Sequence, residues 1–339
     1  MFNNIYVKIK NILKDNYKEL IFLISFYIIM TFPLPYYIYI GGGTINLDNR
    51  YEIANANEIN GSYNLAYVSE LKATTATYLL SFIMPNWAKM NVEDFKATTT
   101  ENINDIEKRN KIALESANQT AVILAYKKAG KECNIIKTNN YITYIDEKVN
   151  ANVKVGDILI KADGIIINDI NDYRDIIAKK EVNDTIKLTL LRGKKEITTD
   201  IKIQMINNTK ITGLGINVIH EYTTSPSISF NFKEHESGSS GGLMVTLSIY
   251  DSLTKDDLSN GLKIVGTGTI EPDGTIGEIG GIKYKLLGAV KAKADVFLVP
   301  EGNNYDEVQK IQKEKNYNIK IIMVKSLDDA IEKLKNLKW

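Results

Sequence analysis

The run that decides the fold lies at residues 265–289 and reads VGTGTIEPDGTIGEIGGIKYKLLGA. Lys263 to Ile270 has the texture of a strand, Pro272-Asp273-Gly274 that of a turn, and Thr275 to Ile279 that of a return strand. Gly280-Gly281 interrupts the chain. Ile282 to about Ala292 then reads as a helix with Ile282, Leu286, Ala289 and Val290 on one side. Lys283 falls in the first helical turn, at the positive end of the helix dipole, where a cation costs about 0.3–1 kcal/mol. An ordinary lysine has a pKa near ~10.4, so at pH 7 only about one in 2,500 is neutral. The dipole and burial both favour the neutral amine, which makes Lys283 a candidate general base. Lys285 and Lys291 read as surface lysines.

Upstream, Gly238-Ser239-Ser240-Gly241-Gly242 matches G-x-S-x-G. The α/β-hydrolase reading of that motif needs a histidine after the serine. The chain has two histidines, His220 and His235, and both precede Ser240. His235 reads as a solvated loop residue. His235-Glu236 is no zinc motif either, because Ser239 stands where H-E-x-x-H needs its second histidine. A serine without a histidine needs another base, and lysine can serve. Ser239 is a rival nucleophile on chemistry alone. The register of Gly242 and the helix from Leu243 to Tyr250 favours Ser240.

Further upstream the pattern changes. Asn104 to Lys128 reads as a helix with Ile112, Ala113, Ala117, Ala121, Leu124 and Ala125 in one stripe, stopped by Gly130. Tyr141 to Ile145 reads as a strand. Lys154-Val155-Gly156-Asp157-Ile158-Leu159-Ile160 leads to the turn Asp163-Gly164, a short helix from Ile170 to Lys179, and two strands joined at Arg192-Gly193-Lys194. Gly41 to about Asn60 reads as a polar loop.

At the N-terminus, Leu20 to Ile40 contains no charge and is long enough for a helix of about 30 Å, one bilayer core. Lys8, Lys10, Lys14 and Lys18 precede it, so the positive-inside rule puts residues 1–19 in the cytoplasm and the rest outside. The expectation is a single-pass anchor over 20–40. A cleaved signal peptide fits less well, because the run ends in Pro33-Leu34-Pro35-Tyr36-Tyr37 rather than in small residues.

Composition narrows the classes. Of 339 residues, 42 are Lys or Arg and 41 are Asp or Glu, a net charge of +1. That lacks the basic excess of a nucleic-acid binder. One cysteine, Cys133, excludes an intrachain disulfide and a four-cysteine zinc site. No G-x-x-x-x-G-K-[ST] occurs, and Gly266-Thr267-Gly268 is too short for a dinucleotide fingerprint, so neither ATP nor another cofactor is expected.

Two resemblances sharpen this reading. Residues 136–205, through the Lys154–Ile160 run, Asp163-Gly164 and the helix around Tyr173, resemble a PDZ domain of the bacterial protease type. Such a domain binds an extended peptide by strand addition. The resemblance implies peptide contacts at Tyr141, Ile142 and Thr143. A glycine-rich carboxylate loop before that strand is missing, and Asn139-Asn140-Tyr141-Ile142 stands in its place.

Residues 205–335 resemble the proteolytic domain of Lon. The resemblance rests on Ser240-Gly241-Gly242, the Val265–Ile270 strand, Gly274 to Gly277, the Gly280–Ala289 run and Val299-Pro300. It implies a Ser240/Lys283 dyad 43 residues apart, with Thr267 near the amine and Gly241 supporting the serine. Ser239 and Gly241 stand where the family usually has proline and alanine.

The whole plan resembles the membrane-anchored Lon-like serine proteases with a PDZ domain, the YlbL type. The implied fold class is an α/β (α+β) Lon-type domain at 206–339, a small PDZ β-sandwich or barrel at 131–205, and one transmembrane helix. Residues 41–130 are either a separate extracytoplasmic segment or the first part of the protease domain. The implied function is ATP-independent endoproteolysis of peptides or unfolded segments outside the cell membrane, with no metal, no nucleic acid and a ring-shaped homo-oligomer. The alternative is an inert membrane-anchored PDZ scaffold.

Overall fold

The computed structural model describes Lys10 and residues 13–337. The chain divides into two compact units, Met1–Gly41 with Ser69–Phe95, and Gly42–Val68 with Lys96–Trp339. In chain order the first elements are α1 (Tyr17–Thr31), β1 (Pro33–Asn46), β2 (Tyr51–Ile53), β3 (Ser62–Thr74), α2 (Thr75–Leu80), β4 (Ala88–Asn91) and α3 (Ile103–Lys128). A PDZ-like segment follows with β5 (Glu132–Ile145), β6 (Ile158–Ala162), β7 (Ile165–Ile166), α4 (Ile170–Ala178), β8 (Thr185–Arg192), β9 (Lys195–Lys202), β10 (Gln204–Ile206), β11 (Thr209–Ile211) and β12 (Leu214–Ser225). The last part holds β13 (Ile228–Phe230), α5 (Gly242–Leu253), β14 (Lys263–Gly266), β15 (Thr269–Ile270), β16 (Ile276–Gly277), α6 (Ile282–Lys291), β17 (Val296–Pro300), α7 (Asn303–Lys315), β18 (Lys320–Val324) and α8 (Leu327–Lys335).

In the larger unit, β18, β17, β14 and the first part of β3 lie side by side, all parallel. Their side chains alternate between two cores, as a period of two requires. Ile264, Val296, Leu298 and Val324 face a core shared with α3, α5 and α8. Val265, Phe297 and Val299 face a second core closed by α6 and α7. A sheet buried on both faces explains why these strands read as continuous apolar runs. The first core takes Leu47, Tyr63, Ala121 and Tyr126 from before the PDZ-like segment and Leu243 to Leu334 from after it. The PDZ-like sheet, ordered β12-β5-β6-β8-β9, has a core of its own that includes Ile142, Leu159, Leu188 and Tyr173.

Gly41-Gly42-Gly43 is strand rather than polar loop. A Cβ on Gly42 would overlap the Tyr284 carbonyl, and one on Gly288 would lie 2.8 Å from the Gly43 backbone. The glycines let α6 and β1 meet backbone to backbone.

In the smaller unit the apolar run of 20–40 is divided. Pro33 and Pro35 cannot continue a helix. The chain turns at Phe32 into β1, which pairs with β4 from Tyr36↔Asn91 to Tyr39↔Ala88. Tyr37 and Ile38 are buried there instead of facing lipid. This corrects the expected span. Helix α1 has 15 residues, about 22 Å, and no helix among the described residues is long and apolar enough to cross a membrane. Most of the expected cytoplasmic tail lies outside the described residues.

Candidate active site and peptide groove

Ser240 sits in the turn that opens α5. Gly238 adopts a left-handed φ of 89°, and its N–H donates to the Asn110 carbonyl of α3 at 3.0 Å. The Gly242 N–H closes the turn on the Ser239 carbonyl at 3.1 Å. Beyond β14 the chain is fastened to the same turn. The Gly268 N–H and the Thr267 hydroxyl donate to the Ser240 carbonyl at 2.8 and 3.0 Å, and the Leu243 N–H donates to the Gly268 carbonyl at 3.1 Å. Space for side chains is short here. A Cβ on Gly241 would lie 2.9 Å from Leu65, and one on Gly242 would lie 2.6 Å from Ile270. Every residue of α5 is buried and no side chain caps its N-terminus; its first two backbone N–H groups go instead to the Ser239 and Gly268 carbonyls.

The lysine beside this turn is Lys285. Its side chain is buried, at 4% relative exposure. Its Nζ donates to the Thr267 Oγ1 at 3.0 Å. Thr267 is fully buried and thus accepts from Lys285 while donating to the Ser240 backbone. Lys283 does not take this place: it is exposed, with its Nζ 5.9 Å from the Tyr284 ring. The reason is helical period. The buried face of α6 carries Ile282, Lys285, Leu286 and Ala289, spaced i, i+3, i+4, i+7. Position 283 lies off that stripe. The signal for this burial was available in the sequence, since 285 is the one lysine on the apolar face of α6, whereas the first helical turn and the Gly-Gly-Ile-Lys run point to 283. His235 is exposed, as a solvated loop residue should be.

The peptide contacts expected at Tyr141, Ile142 and Thr143 are corrected too. These residues lie on β5, an inner strand. Tyr141 pairs with Asn217 of β12 on one side and Ile158 of β6 on the other. The Ile142 N–H and carbonyl are taken by Asp157 and Gly156, and Ile142 is fully buried. Thr143 is buried, with its hydroxyl donating to Asn217 Oδ1 at 3.2 Å. Strand addition needs an unpaired edge, and the edge beside β5 belongs to β12.

A cavity of about 670 Å³ lies between α4 and the start of β12, lined by Ile170, Tyr173, Ile177, Leu214 and Ile216, with Arg174 also in its lining. The Thr212-Gly213 connection, with Gly213 at φ 78°, ends it and leads into β12 at Leu214. Tyr173 ties helix to turn by donating to the Thr212 hydroxyl at 2.9 Å. A Gly-x-Gly run, Gly213 to Gly215, thus stands at the start of β12, whereas none stands directly before β5.

Comparison with known proteins finds two family models that match the chain. Residues 234–336 match the model of the Lon protease (S16) C-terminal proteolytic domain, and residues 114–203 match that of the PDZ domain. The chain is 26% identical over 160 residues to the Lon protease of Desulfatibacillum aliphaticivorans, covering 44% of this chain and 19% of that protein. It is 36% identical over 99 residues to the peroxisomal Lon protease homolog 2 of Kluyveromyces lactis, covering 29% and 10%. It is 24% identical over 110 residues to the serine protease Do-like HtrA of Lactobacillus helveticus, covering 30% and 27%. Among solved structures, the PDZ domain of an SdrC-like protein from Listeria monocytogenes is 26% identical, covering 23% of this chain and 85% of that one, with a TM-score of 0.22. The chain thus spans less than a third of the length of these curated relatives. It carries a Lon-type serine-protease (S16) proteolytic domain and a PDZ domain.

Proposed function

We propose that the chain is a serine endopeptidase in which Ser240 is the nucleophile and Lys285 the general base. The observation that carries this reading is the buried Lys285 amine on Thr267, whose hydroxyl holds the Ser240 backbone. Ser240 Oγ attacks the peptide carbonyl as the neutral Lys285 amine takes its proton. The resulting ammonium then protonates the leaving amine. Burial favours the neutral amine before attack. Thr267 keeps the amine and the serine turn in register. Backbone N–H groups of the Ser240 turn that precedes α5 stabilise the oxyanion, a contribution on the order of 10²–10³ in rate per donor.

The substrates we propose are peptides or unfolded segments, cut without ATP, since no Walker motif stands in these 339 residues. The groove between α4 and β12 accepts an extended peptide against β12. Its apolar lining takes an apolar side chain, and the Gly213–Leu214 entry to β12 offers backbone N–H groups to a terminal carboxylate. We further propose that the PDZ domain is inserted in the protease domain, supported by the core that joins Leu47 to Tyr126 with Leu243 to Leu334. The apolar α1 is proposed as a membrane attachment that holds the protein outside the cytoplasmic membrane. Every large apolar residue of α1 from Ile21 to Ile29 is about half exposed or more, as a lipid-facing helix requires.

Labelling of the detergent-solubilised chain with a serine-reactive probe tests the enzyme reading. Modification at Ser240, abolished in Ser240→Ala, is the expected result. No modification at any serine would leave the inert PDZ scaffold as the better account.

A further inference from the structure

We infer a second membrane contact: the end of α2 and the turn after it, Leu79 to Trp87, lie in the interfacial layer of the bilayer that receives α1. The proposal rests on the reading that α1 is embedded in lipid. Within the smaller unit, Leu79 is 51% exposed, Phe82 65% and Ile83 77%, with Leu80 and Met84 also open. Monomeric soluble surfaces rarely gather so many large apolar side chains in one short segment.

Two features select lipid over a protein partner. First, the patch is continuous with α1. The Thr75 N–H donates to the Phe32 carbonyl at 3.0 Å, which fixes the start of α2 at the end of α1. Helix α1 exposes apolar side chains over Ile21, Phe22, Leu23 and Ile24, positions that cover all sides of a helix. A helix apolar all round needs a surround rather than a groove, and hydrocarbon is such a surround. Second, the border of the patch has the composition of a headgroup belt. Tyr36 and Tyr78 have ring centroids 5.0 Å apart, and Tyr78 and Phe82 5.7 Å. The Lys89 ammonium sits 3.3 Å from the Phe82 ring centroid and 4.9 Å from that of Tyr78. Aromatic rings and a lysine with an apolar stem favour the layer between acyl chains and water. Two attachment points also restrain swivel of the smaller unit about the axis of α1.

Trp87 reports directly on the patch, because the chain has only two tryptophans. The full chain with Trp339→Phe is reconstituted into phosphatidylcholine vesicles, and flotation is read beside quenching of Trp87 by lipids brominated near the headgroup or deep in the chain. The expected result is flotation with strong quenching by the shallow bromines. Phe82→Ser/Ile83→Ser should float equally and lose most of that quenching. Flotation with unquenched Trp87 would overturn the second contact while leaving α1 in lipid. Failure to float would overturn both. Efficient cross-linking between copies through position 83, with no quenching, would assign the patch to a second copy of this chain instead.

Discussion

The turn that carries Ser240 and the helix that carries Lys285 hold their functional groups by opposite means. The turn is a backbone device: glycines where a Cβ would strike Leu65 or Ile270, and carbonyls fastened by Thr267 and Gly268. Helix α6 is a packing device, in which the buried stripe decides which lysine faces the threonine. A backbone device is written in adjacent residues. A packing device is written in period, so the residue count to a neighbouring element does not identify it. The two PDZ strands repeat the lesson. Strand β5 is an inner strand, and only the sheet order shows that β12 lies at an edge.

The largest effect expected is at the turn. Ser240→Ala should remove peptide hydrolysis, by at least about 10⁴-fold in kcat, and Ser239→Ala should retain substantial activity. The reverse would move the nucleophile one residue and break the turn half of the comparison. Thr267→Val keeps the shape and deletes the hydroxyl between the two halves. It should lower kcat by roughly 10–100-fold with little change in KM. A loss confined to KM would assign Thr267 to substrate binding instead.

Gly42→Ala tests the packing half without touching either reacting group. Its methyl would press on the Tyr284 carbonyl. It should cost about 1–3 kcal/mol in chemical denaturation and displace α6. A neutral result would mean that β1 and α6 are not in backbone contact. In the groove, Leu214→Glu should weaken a peptide with an apolar C-terminus by about tenfold or more, and Thr143→Ala by less than about twofold. Equal losses would return the contact to β5.

The smallest effect concerns His220, whose Nδ1 lies 3.1 Å from the Thr138 hydroxyl across β5 and β12. Burial pushes its pKa below the usual value. The unfolded chain therefore takes up this proton first. The stability is fully present above about pH 6.5 and is lost as pH falls through that value towards the lower folded pKa. Wild type should lose slightly more Tm between pH 7.5 and 5.5 than His220→Asn.

Much of the fold is legible in the sequence because its elements carry local signals. The α3 stripe, the strand before Thr267, the Lys154–Ile160 run and the Gly-Gly stop before α6 all read correctly from neighbouring residues. What was not legible depends on contacts distant in sequence. Pro33 and Pro35 end a helix, yet only pairing with β4 makes the following apolar residues a buried strand. Gly42 reads as loop until Tyr284 is brought against it. The Gly213–Ile216 stretch reads as a connection until α4 closes the groove beside it. Lys285 lies between these cases, since helical period alone puts it on the apolar face.

The central claim, that Lys285 is the base and Lys283 a surface residue, is tested most directly by measuring peptide hydrolysis of Lys285→Arg beside Lys283→Arg. Arginine keeps the charge and cannot deprotonate near neutral pH. With both variants folded, the account predicts a loss of at least about 10³-fold for Lys285→Arg and activity within about threefold of wild type for Lys283→Arg. Near-wild-type turnover by Lys285→Arg, with Lys283→Arg inactive, would contradict it.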